Sequence, residues 1–170
     1  INLVSYLSKL GSNGDFRVTN EKLVRRWKAA PDFKALSKID GVNTWENLPG
    51  KKIAPGTKAL YSKVAGDLPL GDIPVITDNN GKKFSLVQFE VSILKAGEFS
   101  LKLTGVDQAK VWVSGKEISI NNGTGATNLS VGKQWVNIVF DREKVASGSL
   151  KVLIEDGKAN SSQSQIIVGN

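Results

Sequence analysis

The chain has 170 residues, 40% of them hydrophobic, and a formal charge of +7. It contains no Cys, no His and no Met, which removes thiolate nucleophiles, disulfides, imidazole bases and the usual ligands of zinc, copper and iron. No apolar run approaches the roughly 20 residues that cross a bilayer as a helix, so no membrane span is expected. The charge is uneven: residues 1–60 hold eleven Lys/Arg against five Asp/Glu, and the rest of the chain is nearly balanced. These basic residues are not interleaved with the stacking aromatics that single-strand binders use. No nucleic-acid partner is expected, and the first third reads as a solvated face or one turned toward an acidic neighbour.

In chain order, Leu3, Val4, Leu7 and Leu10 have helical spacing and Gly11 is a natural stop. This predicts a short N-terminal helix and linker over 1–15, docked either on this domain or, as the tail of a preceding domain, on the parent protein, followed by one domain over 16–170. The chain opens in mid-pattern and so reads as a piece of a longer polypeptide. Residues 22–29 predict a strand carrying Trp27, bounded by Pro31. Residues 32–48 are mixed: Phe33, Leu36 and Ile39 have helical spacing that Gly41 interrupts. Residues 58–65 alternate, with Leu60 on one face and Tyr61 on the other. Gly66, Pro69, Gly71 and Pro74 make a turn-rich connection.

From residue 84 the strand signal strengthens. FSLVQFEVSIL (84–94) is a long strand, and 95–98 predict a tight hairpin into FSLKLTG (99–105). Phe99, Leu101 and Leu103 share one face. AKVWVSG (109–115) turns at Gly115-Lys116 into EISI (117–120), and NNGTGATN (121–128) reads as a flexible loop. Strands follow at 135–141, 149–156 and 165–169. Trp27 and Trp135 are expected in the core, while Trp45 sits in a loop-like context. Short strands at this spacing predict a mainly β protein, an antiparallel, jelly-roll-like β-sandwich.

The stretch Phe99–Ile120, with Val111-Trp112-Val113-Ser114-Gly115-Lys116, resembles the hairpin of galactose-binding-domain-like and PA14-like β-sandwiches. Val111 and Val113 share one face there, Trp112 takes the other, and Gly115 supplies the positive φ of a tight turn. VSYLSKLGSNGDFRV (4–18), LVRRWKAAPDF (23–33) and LYSKVAGDLPL (60–70) together resemble the C-terminal region of planctomycete-type bacterial haem-binding and sorbosone-dehydrogenase-like proteins. That resemblance implies a periplasmic or secreted location and a multidomain parent, with dehydrogenase activity in the parent as the corresponding expectation. It does not bring haem attachment, which needs Cys and His, nor a cofactor fingerprint.

The expected function is therefore a non-catalytic accessory module of a larger extracytoplasmic enzyme, with carbohydrate or the neighbouring domains of its parent as partner. The alternatives are a structural spacer or cap for a haem-binding or sugar-dehydrogenase domain, and a carboxylate-based glycoside hydrolase. No catalytic residue is assigned. Trp112 is the candidate sugar-stacking ring, and Asn121, Asn122 and Thr124 are candidate hydrogen-bonding groups on the loop; the competing reading makes the ring a packed strand residue and the loop a solvated connector. No cofactor or resident metal is expected. Weak cues for Ca²⁺ are Asp78-Asn79-Asn80-Gly81, better read as a turn, and the pair Asp107 and Asp156.

Overall fold

The computed structural model describes residues 21–38, 41–48, 58–106, 108–145, 148–156 and 163–166. The expected N-terminal helix over 1–15 lies outside them. The strands are β1 (Glu21–Leu23), β2 (Arg26–Ala29), β3 (Lys58–Tyr61), β4 (Leu68–Pro69), β5 (Ile76–Thr77), β6 (Lys83–Lys95), β7 (Gly97–Thr104), β8 (Lys110–Val113), β9 (Lys116–Ile118), β10 (Thr124–Leu129), β11 (Gly132–Asp141), β12 (Ser149–Asp156) and β13 (Gln163–Ile166). One short helix, α1 (Phe33–Ser37), and two 3-10 turns complete the described elements.

The strands form two antiparallel sheets. The smaller runs β1-β12-β7-β10, with β4 also on β12; the larger runs β3-β2-β6-β11-β8-β9, with β5 and β13 also on β6. Alternation along each strand builds the space between them. Val87, Phe89, Val91 and Ile93 of β6 and Val136, Ile138 and Phe140 of β11 face Phe99, Leu101 and Leu103 of β7 and Leu150, Val152 and Ile154 of β12 in one buried cluster. Each such side chain contributes about 1.5–3 kcal/mol by leaving water. The fold is a β-sandwich, as the strand spacing predicts.

The chain winds between the sheets, and this corrects the hairpin expected at 95–98. From β6 onward each step changes sheet, except the β8–β9 hairpin. β6 and β7 are separated by Ala96 alone, yet they lie in different layers. Two amphipathic strands bury the same apolar stripe whether they pair side by side or face each other, so alternation alone could not tell the two apart. The β8–β9 turn is Ser114-Gly115, one residue earlier than expected; both residues have positive φ (47° and 88°), the geometry whose twist matches a hairpin. Residues 22–29 likewise divide into β1 on the smaller sheet and β2 on the larger.

A further layer covers part of the larger sheet's outer face. Ala30, Leu36, Val42 and Leu48 pack on Phe84, Leu86, Trp112 and Val139, with Phe33 and Trp45 at the margin. Asp32 starts α1 by accepting the Ala35 N–H at 2.9 Å. Trp45 lies 6.3 Å from Phe84, ring to ring. The apolar spacing of Phe33 and Leu36 thus serves a short helix that lids the sheet.

Candidate functional site

Outside the lid, the outer face of the larger sheet carries polar side chains in cross-strand rows. One row is fixed by register: Ala59 beside Lys28, Lys28 beside Gln88, Gln88 beside Asn137, Asn137 beside Trp112, and Trp112 beside Glu117. It spans β3, β2, β6, β11, β8 and β9 in order. On its lidded side lies the apolar row of Leu86 and Val139. On its other side, two residues along each strand, lie Tyr61 beside Arg26 and Glu90 beside Trp135.

The middle of the polar row is an amide pair. Gln88 Nε2 donates to Asn137 Oδ1 at 2.8 Å, and both residues are 1% exposed. Gln88 Oε1 is buried and accepts no hydrogen bond. An unmet buried acceptor costs about 1–3 kcal/mol. Trp135 is half-buried on this face, and Glu90, Trp135 and Asn137 are each engaged by a further contact. At the sheet's β2–β3 margin, Tyr61 is 61% exposed and the Arg26 guanidinium lies 5.6 Å from its ring centroid, within cation–π range.

The lidded end holds a different polar cluster. The buried Asp78 carboxylate accepts the N–H groups of Asn80 (2.9 Å), Lys82 (3.0 Å) and Trp45 (3.1 Å). Burial pushes this carboxyl up, but those three N–H groups and the Lys82 charge together hold it below its ordinary value. Lys82 Nζ bridges Asp141 at 2.6 Å and Glu143 at 2.7 Å. Burial likewise pushes Asp141 up, and the Lys82 hydrogen bond, the Glu143 N–H and nearby lysine charge bring it below normal. Lys82 is raised by its bonds to Asp141 and Glu143. The ammonium groups of Lys82 and Lys110 sit 5.5 and 5.1 Å from the Trp45 ring centroid. These contacts pin the lid to the sheet. Asp78 is thus the turn anchor at 78–81, with its oxygens engaged by backbone. No group of three or more His, Cys, Asp or Glu suited to a metal occurs among the described residues; Asp107 and the Asp156 side chain lie outside them.

The sequence-derived candidates fall in two places. Trp112 is 8% exposed, within the apolar cluster under the lid. Asn121, Asn122 and Thr124 are exposed and lie together in one turn. That turn is not part of a flexible loop: Asn121 and Thr124 exchange backbone hydrogen bonds at 2.9 and 3.0 Å around Asn122-Gly123, with φ 50° and 76°, and β10 follows at once. Asn-Gly is the preferred pair for this turn type, a signal within the sequence itself. The turn is tied to the smaller sheet by the Leu103 N–H on Gly123 O at 2.7 Å. Among the described residues no hydrogen bond joins Trp112 to it. Gln88, Asn137, Lys28 and Arg26 were not singled out by the sequence reading. Their signal was available in part: an amide in the middle of each of two apolar strands, VQF and VNI.

No family model matches the chain, and no curated protein does. Among solved structures it is similar to an anti-sigma factor domain-containing protein from Clostridium clariflavum (TM-score 0.40, 12% identity, covering 85% of this chain and 45% of that one). It is also similar to a beta-glucuronidase from Faecalibacterium prausnitzii (TM-score 0.45, 13% identity, 85% and 33%). A third is the GH31 alpha-xylosidase from Xanthomonas citri (TM-score 0.36, 17% identity, 82% and 15%). The chain spans less than half the length of each.

Proposed function

We propose that this chain is a non-catalytic accessory module of a larger extracytoplasmic protein, and that it binds carbohydrate through the part of the larger sheet's outer face beside the lid. The observation that carries this reading is the Gln88–Asn137 amide pair: a buried acceptor without a donor, beside Lys28 and with the half-buried Trp135 indole in the next row. Amides that both give and take hydrogen bonds suit hydroxyl groups, and an aromatic face suits the apolar side of a sugar ring. Gln88 Oε1 is closed to solvent as the chain stands. A ligand hydroxyl reaches it only as the groups over it part, and the exposed Arg26 and Tyr61, partly exposed Lys28 and half-buried Trp135 make the first contact.

Two features support the absence of chemistry. The sequence lacks imidazole and thiol altogether. Away from the lid the carboxylates are also badly spaced for glycoside hydrolysis: Glu90 on β6 and Glu117 on β9 are three strand spacings apart, about 14 Å, against roughly 5–9.5 Å between the paired acids of glycosidases, and the closer pair Asp141 and Glu143 is held on the Lys82 ammonium. The extracytoplasmic placement and multidomain parent rest on the sequence resemblance to haem-binding and sorbosone-dehydrogenase-like proteins.

Affinity electrophoresis through gels containing soluble polysaccharides tests the reading. The native chain is expected to be retarded by at least one glycan, and Gln88→Met is expected to abolish the retardation while remaining folded. Unretarded migration through a broad panel contradicts it. A spacer or docking role would then be the better account, and exposed Leu94 and Val131 (56% and 64%) at the far end of β6 favour that second reading.

A further inference from the structure

We propose that the glycan is anionic and that the β2–β3 ribbon selects it through its carboxylates; this rests on the carbohydrate reading above. Arg26, Lys28 and Lys58 lie on the two paired strands, Arg25 immediately before β2, and Lys63 in the loop that leaves β3. Four of the five are exposed and Lys28 is partly so. Among the described residues none of the five holds an ion pair, whereas Lys82 at the lidded end holds two. Arg26 and Lys28 leave β2 on one face, opposite Tyr61 and Ala59 of β3, so an anion there meets two cations and no carboxylate from β3.

The ribbon is also held in shape. Trp27 Nε1 donates to Ser62 Oγ at 2.9 Å, Ser62 Oγ donates to Val24 O at 3.1 Å, and the Arg25 guanidinium donates to the carbonyls of Lys63 and Val64. Lys63 N–H closes the loop on Asp67 O at 2.8 Å. Arg26 and Lys28 point to the same face, about 7 Å apart along the strand. Lys28 adjoins Gln88, and Arg26 lies over Tyr61. One edge of the proposed glycan face is thus cationic with a single exposed ring, and its middle is made of amides. That order fits a sugar polymer that bears carboxylates on some positions and hydroxyls on all. A nucleic acid strand would call for a series of stacking rings, and Tyr61 is the only exposed aromatic among the described residues.

The test compares polygalacturonate with its fully methyl-esterified form, which keeps the backbone and removes the charge, by isothermal titration calorimetry at 50 and 500 mM NaCl. Arg26→Glu/Lys28→Glu is compared with Lys102→Glu/Lys116→Glu, which makes the same charge change away from the ribbon. The acid form is expected to bind at least tenfold more tightly than the ester at 50 mM NaCl, and to lose that advantage at 500 mM. The ribbon variant is expected to lose it at both, the control variant to keep it, and thermal midpoints to show both folded. Equal binding of acid and ester overturns the anionic selection and leaves the carbohydrate reading in place. Binding of neither form, with no neutral glycan bound in the electrophoresis panel, overturns both. Tighter binding of single-stranded DNA than of polygalacturonate, or equal losses in the two variants, also overturns it.

Discussion

Gln88 gives its amide hydrogen to Asn137 across β6 and β11 at 2.8 Å and receives nothing on its own carbonyl. The two residues face out of the sandwich from strands whose inward neighbours, Val87, Phe89, Val136 and Ile138, form the main core. Polar groups at such positions are costly unless satisfied, which makes this pair the feature of the sheet that structure alone does not require.

Gln88→Met tests that statement energetically. The substitution removes the unmet acceptor but also takes the Gln88 donor from the buried Asn137 Oδ1. Urea denaturation is expected to show a loss of about 1–3 kcal/mol. Gln88→Glu buries a charge instead and is expected to cost about 3 kcal/mol or more.

Trp112 is packed beneath the lid, so its truncation is a core mutation. Trp112→Ala is expected to cost about 3–5 kcal/mol, measured by thermal or urea unfolding. The Asn122→Ala change in the exposed turn, where φ is +50°, is expected to cost only about 1 kcal/mol.

The lid is acid-sensitive. Asp78 and Asp141 are held below the ordinary carboxylate value of 3.8 in the fold, so the unfolded chain takes up these protons first as pH falls. Their stabilisation is complete above that value and is lost as pH drops through the folded values. Lys82 is raised above 10.5, so its share is complete below that pH and is lost as pH rises through its folded value. Asp78→Ala, which strips an acceptor from three N–H groups, is expected to cost about 2–4 kcal/mol at pH 7. It is also expected to flatten the acid limb of the stability curve.

Gly105 turns the chain after β7 at φ +93°, and an added Cβ would lie 1.8 Å from the Ser149 carbonyl oxygen. Gly105→Ala is expected to cost about 3 kcal/mol or more, because backbone must move. Gly81 has a similar φ with nothing within 4 Å, and Gly81→Ala is expected to cost about 1–2 kcal/mol. Thermal midpoints of the two variants give the comparison.

The β-sandwich was legible because alternation at Phe99, Leu101 and Leu103, and at Val111 and Val113, states which side of a strand is buried. Which strands pair was not legible at Ala96, because an inward stripe looks the same in a hairpin and in a crossover. The lid was half visible in Phe33 and Leu36; its target, Trp112, lies far along the chain. The polar row was hidden for the same reason: Lys28, Gln88, Asn137 and Glu117 become neighbours only through register, while each alone reads as an ordinary strand residue.

The most direct measurement of the binding face is an NMR titration of the isotope-labelled chain with short galacturonate oligomers, observing backbone amides together with side-chain amides, indoles and guanidinium groups. The largest shifts are expected at Gln88, Asn137, Lys28, Arg26, Tyr61 and Trp135, with Leu101 and Ile154 unmoved. Shifts centred on Asn121–Thr124 or the smaller sheet, or no shifts at millimolar oligomer, would contradict the assignment of this face.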